Sequence, residues 1–146
     1  MRGGPIALGI TGASGSAYAL RLLQCLIEAG EPVHLMVSQA GQIVLRMESD
    51  LDLPAQPGEA EKFLSDRFNA APGQLRVFGR QQWMAPVASG SNPPRAMVVC
   101  PCTTGSLSAI ACGASNDLLE RAADVVLKER RRLILVVRET PFSEIH

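Results

Sequence analysis

The sequence predicts an α/β protein: a three-layer, Rossmann-like fold in which helices cover both faces of a mostly parallel sheet. Short apolar segments alternate with segments of helical periodicity along the 146 residues, which is the order expected of strand–helix–strand units. The apolar segments are continuous and do not alternate with polar residues, as in strands that are buried on both faces. No internal repeat or low-complexity tract divides the chain, so we expect one domain over residues 1–146.

Each element follows from a local pattern. Strands are predicted at five apolar segments: 6–10, 33–37, 75–78, 97–100 and 133–137. The first helix ends at Gly30, and its apolar face consists of Ala19, Leu22, Leu23, Leu26 and Ile27. The second helix is predicted from the helical spacing of Ala40, Ile43, Val44 and Met47. Further helices are predicted at 59–68, at 103–111 and from a cap at Asn116 or Asp117 to about Glu129, whereas residues 79–95 read as a loop.

The composition excludes several classes of protein. Lys plus Arg and Asp plus Glu number 14 each, and this zero net charge argues against nucleic acid and anionic membranes as partners. No apolar run approaches the roughly 20 residues of a membrane helix, and the N-terminus lacks the apolar stretch of a secretory signal. Four cysteines occur within apolar segments, where we expect them to be buried thiols in a reducing compartment: Cys25, Cys100, Cys102 and Cys112. A cytoplasmic location is therefore expected.

The turn after the first strand, residues 9–16, has the composition of a phosphate-binding turn. Gly12 and Gly15 allow a tight turn and a close approach of the backbone to a ligand. The start of the following helix offers free N–H groups, and Ser14 and Ser16 add hydroxyl donors. The alternative is a plain connection between strand and helix whose glycines only permit tight packing.

The spacing of this turn favours FMN over NAD. Its glycines follow the pattern Gly-x-x-Gly-x-x-Gly, whereas a dinucleotide fold has Gly-x-Gly-x-x-Gly and an acidic residue after the second strand. The second strand ends instead in Val37, Ser38 and Gln39. Ser38 is suited to bind a cofactor and also to cap the second helix, and these two roles are compatible.

Two further strand ends carry polar groups. Residues 100–106 form a hydroxyl-rich helix start; their Cys-x-Cys pair has no His or carboxylate nearby, so no metal is expected. Arg121 and Lys128 lie two turns apart on one helix face with Asp124 between them, and from spacing alone a solvated face with salt bridges is favoured. Arg138 and Glu139 end the last strand, along the same edge as the first turn.

Taken together, these motifs resemble the flavin prenyltransferase family (UbiX type, formerly described as flavin-dependent aromatic acid decarboxylases). The matching segments are 9–15, 47–50, 83–86, 100–102, 120–131 and 138–141. The resemblance covers nearly the whole chain, and its last two segments are long and specific.

The resemblance implies a three-layer flavoprotein fold and a metal-independent enzyme. Members of the family join a dimethylallyl group from dimethylallyl phosphate to N5 and C6 of reduced FMN. The product, prenylated FMN, serves a UbiD-type decarboxylase in ubiquinone biosynthesis or aromatic acid metabolism. Members form large homo-oligomers, typically dodecamers.

The resemblance also implies residue roles. Contacts with FMN are expected from Gly12, Ala13, Ser14, Ser38, Thr103, Thr104, Gly105, Ser106 and Arg138. Binding of the prenyl phosphate or proton transfer is expected from Ser14, Arg121, Lys128 and Glu139. Glu48 and Trp83 are expected to enter from neighbouring subunits.

One departure from the family and two alternatives remain open. Family members continue with a helical segment that carries a Tyr-His-x-x-Pro-type motif; this chain is expected to lack that segment, since its only tyrosine is Tyr18. A decarboxylase of peptidyl-cysteine substrates would need a catalytic histidine, but His34 lies within a predicted strand and His146 is terminal. A non-catalytic flavin-binding module is the second alternative.

Overall fold

A computed structural model describes residues 3–146. Strands β1 to β5 span Ile6–Ile10, Val33–Val37, Leu75–Phe78, Ala96–Cys102 and Arg132–Val137. Helices α1 to α5 span Ser16–Glu28, Gln39–Glu48, Pro57–Phe68, Thr104–Ala111 and Leu118–Lys128. The segment predicted as a loop also contains a short 3₁₀ turn, Pro86–Ala88.

The strands form one sheet in the order β3-β2-β1-β4-β5, and every neighbouring pair is parallel. Helices α1, α2 and α3 pack on one face through residues such as Leu23, Leu45 and Leu64. Helices α4 and α5 pack on the other face through residues such as Ile110 and Leu119. The predicted three-layer α/β fold is confirmed.

The strand order creates one crevice at the carboxyl edge of the sheet. From β1 the chain proceeds outward to β2 and β3, and it then crosses back to place β4 on the other side of β1. The connections after β1 and β4 therefore diverge to opposite faces, and open α/β sheets bind ligands at such a switch point. The ends of β1 and β4 are where the site is expected.

The apolar spacing that predicts α2 does not coincide with its buried face. Ile43 and Met47 belong to that spacing, yet they are 55% and 78% exposed. The buried residues of this helix are Gly41 and Leu45. Gly41 determines the rotation, because a Cβ atom there would lie 2.6 Å from the carbonyl oxygen of Ile10, so the helix backbone contacts the sheet at this point.

Two other expectations are corrected. Cys25 and Cys112 are exposed, because they lie on the outer side of α1 and at the end of α4; only Cys100 and Cys102 are buried. Strand β5 is not covered on both faces by the described residues, since its residues alternate between exposed and half-buried. No helix within residues 3–146 has the length and apolarity that crossing a membrane requires.

Candidate active site

A cavity of about 250 Å³ lies where strands β1, β4 and β5 end. It is lined by Gly12, Ala13, Cys102, Thr103, Thr104, Arg138 and Glu139. Six of these seven residues are predicted site residues, and they come from three segments that are far apart in sequence. The switch point of the sheet therefore brings six of the predicted site residues together, whereas Arg121, Lys128 and Trp83 do not line this cavity.

Thr11 holds the two inner strand ends together. Its buried hydroxyl donates to the carbonyl of Pro101 at 2.6 Å and accepts from the amide of Thr103 at 3.0 Å. Its own amide also donates to the Pro101 carbonyl, at 3.3 Å. Sequence reasoning missed this residue; the available signal was a hydroxyl side chain directly after a buried strand.

Gly12 and Gly15 are required by the backbone around them. A Cβ atom at Gly12 would lie 2.4 Å from the Cβ of Ala40 in α2, so a side chain would force the turn and α2 apart. Gly15 caps α1 with φ of 124°, a conformation that only glycine adopts readily. These glycines therefore pack the turn closely against α2 and direct it into α1.

Helix α4 presents its amino-terminal end to the cavity. Thr103 is its N-cap, and the Thr103 hydroxyl oxygen accepts from the amide of Ser106 at 2.9 Å. The first amides of a helix have no intrahelical acceptor, so this cap leaves the amides of Thr104 and Gly105 for a ligand. A Cβ atom at Gly105 would meet only the Thr103 hydroxyl, at 3.8 Å, so Gly105 borders open space.

The remaining walls differ in polarity. Cys102 is buried, and this burial raises the pKa of its thiol to about 11, so the cavity meets a neutral thiol there. Cys102 is part of the Cys-x-Cys pair at residues 100–102, but it was not predicted as a site residue. Arg138 and Glu139 are half exposed, and their side chains pair at 3.4 Å. This half-exposed ion pair lies at the rim of the cavity.

The start of α1 holds a carboxylate of the same chain. One oxygen of Glu48 accepts from the Ser14 hydroxyl at 2.5 Å, and the other accepts from the amides of Gly15 and Ser16 at 3.0 and 3.2 Å and from the Ser16 hydroxyl at 2.9 Å. The Ser14 hydroxyl and then these amides lower the pKa of Glu48 to about 2. Within this chain Glu48 therefore contacts its own turn, at the amides that the sequence analysis assigned to a phosphate. Its expected entry into a neighbouring subunit stays a prediction.

Arg121 faces the last residue of the 3₁₀ turn. Its Nε donates to the carbonyl of Ala88 at 3.2 Å, and its Nη1 pairs with Asp124 at 3.2 Å. The predicted pairing with Asp124 is therefore confirmed for Arg121, which is held against the loop.

Lys128 lies against the same loop, two turns further along α5. Its Nζ pairs with Glu129 at 2.9 Å and not with Asp124. A Cβ atom at Gly90 would lie 2.3 Å from this Nζ, so the missing side chain of Gly90 makes room for the lysine. Residues 88–91 were predicted only as part of a loop. Because they lie close to Arg121 and Lys128, they form part of the surroundings of these two side chains.

Three other residues have mainly structural contacts. Ser38 caps α2 by accepting from the amide of Gly41 at 3.0 Å, as predicted. Trp83 is 43% exposed, and its indole N–H donates to Gln81 at 3.1 Å. His34 is a packed strand residue, as expected: it meets Phe78 edge to face at 5.1 Å, and burial lowers its pKa. Within residues 3–146 no group of three or more His, Cys, Asp or Glu side chains is placed to hold a metal ion.

Known proteins share this sequence and fold. A family model described as Flavoprotein matches residues 1–146. Flavin prenyltransferase UbiX of Pseudomonas aeruginosa is 58% identical over 141 residues, which cover 97% of this chain and 68% of that protein. The chain belongs to the UbiX family of flavin prenyltransferases. It spans about two thirds of the length of that relative.

Solved structures of the family agree with the fold. AnUbiX in complex with FMN and dimethylallyl pyrophosphate has a TM-score of 0.81 and 37% identity, over 99% of this chain and 69% of that one. A dodecameric FMN-dependent UbiX-like decarboxylase from Escherichia coli O157:H7 has a TM-score of 0.80 and 32% identity, over 97% and 69%. These similarities confirm the family and the fold that the sequence motifs predict.

Proposed function

We propose that this chain is a flavin prenyltransferase, which joins the dimethylallyl group of dimethylallyl phosphate to N5 and C6 of reduced FMN. The observation that carries the proposal is the cavity at the switch point, where six predicted site residues meet in a chain of the UbiX family. A related structure that binds FMN and dimethylallyl pyrophosphate supports the same pair of ligands.

The chemistry of the strand-end cavity fits FMN. Two helix amides without intrahelical partners, the hydroxyls of Thr103 and Thr104 and the guanidinium of Arg138 suit an anionic, hydroxylated ligand. Gly12 and Ala13 form a wall without bulky side chains, which suits the approach of a flat ring. Reduced FMN would supply the nucleophilic ring atoms to which the prenyl group is joined.

Arg121 and Lys128 would hold the prenyl phosphate. Departure of phosphate from an allylic carbon builds negative charge on oxygen, and preorganised cations stabilise that charge. Both side chains lie against the loop 88–91, and the backbone of that loop supplies further polar groups. Each cation already pairs with an acidic neighbour, Asp124 or Glu129.

The allylic cation and the protons require other groups. Trp83 offers an aromatic face, and such faces attract cations. Glu48 is ionised at neutral pH because its pKa is about 2, so it keeps a negative charge beside Ser14. Glu139, which pairs with Arg138 at the cavity rim, would accept or donate a proton as phosphate leaves.

Assembly and product transfer complete the proposal. We expect a homo-oligomer, as in the dodecameric relative from E. coli, with Trp83 reaching a neighbouring subunit. A UbiD-type decarboxylase is the expected recipient of prenylated FMN, in the cytoplasm and without a metal. These points stay predictions.

Mass spectrometry of the flavin tests the proposal. The protein is mixed anaerobically with reduced FMN and dimethylallyl phosphate, and the flavin is extracted. The expected product is heavier than FMN by one prenyl group. Tight FMN binding together with an unshifted flavin mass would refute the transferase and favour a non-catalytic flavin-binding module.

A further inference from the structure

A second cavity, of about 330 Å³, lies between α2, α3 and the ends of β2 and β3. It shares no lining residue with the strand-end cavity. Its apolar walls include Leu35 and Val77 of the sheet and Leu64 of α3. The volume and the apolar lining are those of a site for a small organic ligand.

One face of α2 borders this cavity. Gln39, Gln42, Ile43 and Arg46 all line it, and their spacing places them on the same side of the helix. The helix packs on the sheet through Gly41 and Leu45 instead. The mixed polar face of α2 is therefore directed at the cavity.

Gln42 carries the decisive atom. Its side-chain oxygen is fully buried and accepts no hydrogen bond within the part of the chain that the structure describes. Proteins seldom leave a buried acceptor unpaired, because the lost hydration destabilises the fold. Gln42 itself lines the cavity, so a turn of its side chain would bring this unpaired oxygen to a ligand that donates a hydrogen bond.

The rim of the cavity is cationic. Arg80, which follows β3, donates from Nη1 to the side-chain oxygen of Gln39 at 3.2 Å and so bridges to α2. Arg46 donates to the carbonyl of Leu53 at 3.4 Å and meets the exposed carboxylate of Asp52 at only 3.9 Å. Arg46 thus has a distant carboxylate partner, and Arg80 is held by a neutral amide.

From these observations we infer a second binding site, for a small apolar acid that also carries a hydrogen-bond donor. The carboxylate lies at Arg46 and Arg80, the apolar body against Leu64 and the strand ends, and the donor at the oxygen of Gln42. This acid is neither the flavin nor the prenyl phosphate of the proposed reaction, because the cavity is separate from theirs.

Titration calorimetry with three related compounds tests the inference. The compounds are 4-hydroxyphenylacetate, phenylacetate, which lacks the donor, and 4-methylphenol, which lacks the carboxylate. We expect 4-hydroxyphenylacetate to bind once per chain, with the same affinity whether or not FMN and dimethylallyl phosphate are present. Each of the other two compounds should bind about five- to tenfold more weakly.

Variants separate this site from non-specific binding. Gln42→Leu should bind 4-hydroxyphenylacetate and phenylacetate equally, and without ligand it should unfold at a higher temperature because the unpaired acceptor is gone. Arg80→Gln should weaken both acids and leave 4-methylphenol unchanged. Arg67→Gln, the same exchange on an exposed residue of α3 that does not line the cavity, is the control and should alter neither.

Three results would each overturn the inference. They are the absence of binding at millimolar 4-hydroxyphenylacetate, equal affinity for all three compounds, and displacement of 4-hydroxyphenylacetate by FMN or dimethylallyl phosphate. None of them bears on prenyl transfer, which the flavin mass tests separately.

Discussion

Replacing Thr11 by Val should weaken both the fold and the flavin site. Valine keeps the shape of the side chain but removes the hydroxyl that joins Pro101 and Thr103. The Pro101 carbonyl keeps a second donor, the amide of residue 11 at 3.3 Å, whereas the half-buried amide of Thr103 loses its partner. Two hydrogen bonds are lost, each with a net contribution of roughly 1 kcal/mol, so we take about 2 kcal/mol as the expected loss.

This loss has a measurable size. An unfolding entropy of about 2.1 cal/mol/K per residue gives ~0.3 kcal/mol/K for a chain of 146 residues. A destabilisation of about 2 kcal/mol therefore lowers Tm by about 6 °C. Because Thr103 caps α4, the same change should displace the α4 amides and weaken FMN binding about tenfold.

Thermal unfolding without ligand and fluorescence titration with FMN measure the two effects. Thr11→Ser is the matched control, since it keeps the hydroxyl and removes only a methyl group. Its FMN affinity should stay close to that of the wild type. If Thr11→Val and Thr11→Ser have the same Tm and the same FMN affinity, the bridge between the strand ends does not have the role we assign to it.

Three other predictions concern the turn, the cations and the carboxylate. Gly12→Ala should lose about 1–3 kcal/mol in denaturant unfolding, because its Cβ meets that of Ala40 at 2.4 Å; adding Ala40→Gly should recover much of this, and Gly105→Ala, which borders open space, should lose nothing. Lys128→Ala should raise KM for dimethylallyl phosphate by at least about tenfold and leave the Kd of FMN nearly unchanged; an equal loss of both would contradict the division of roles. The pKa of Glu48 is about 2 in the fold against an ordinary 4.5, so its stabilising effect is complete above pH 4.5 and disappears as the pH falls towards 2. The stability difference between wild type and Glu48→Gln, followed by urea unfolding, should be constant at neutral pH and shrink over that interval; a constant difference down to pH 2 would show that the contacts of Glu48 do not depend on its charge.

The sequence predicted the sheet well, because buried parallel strands leave a strong local signal. Strand β3 was expected at residues 75–78 and is found there, although it has only four residues. The ends of β1 and β4 were also expected at one site, and both line one cavity. Strands of a parallel sheet end at a common edge, so identifying the strands is enough to bring their ends together.

The orientation of α2 could not be predicted from its apolar residues. Ile43 and Met47 have the spacing of a buried face, but Gly41 decides the rotation through a contact between backbone atoms. A glycine adds nothing to a hydrophobic pattern, so the signal that mattered was absent from that pattern. The same rotation turns Gln42 towards the second cavity.

The polar contacts of the site could not be predicted from local sequence patterns, for a different reason. Thr11 meets residues about 90 positions away, and Glu48 meets residues more than 30 positions away. Such contacts depend on the strand order and on the end point of a helix. The motif around Glu48 was recognised through its resemblance to a family, but that resemblance assigned its carboxylate to a neighbouring subunit.

The contact of Glu48 with the start of α1 changes the electrostatics expected at the switch point. Helices α1 and α4 both begin there, and each helix start attracts anions. At α1 the carboxylate of Glu48 already takes this place, whereas at α4 the amides of Thr104 and Gly105 stay available beside Arg138. The phosphate group of FMN is therefore expected at α4, and positive charge that develops during the reaction is expected on the side of Ser14 and Glu48. We therefore expect the glycine-rich turn, which the sequence alone marks as the phosphate site, to serve the cationic part of the reaction.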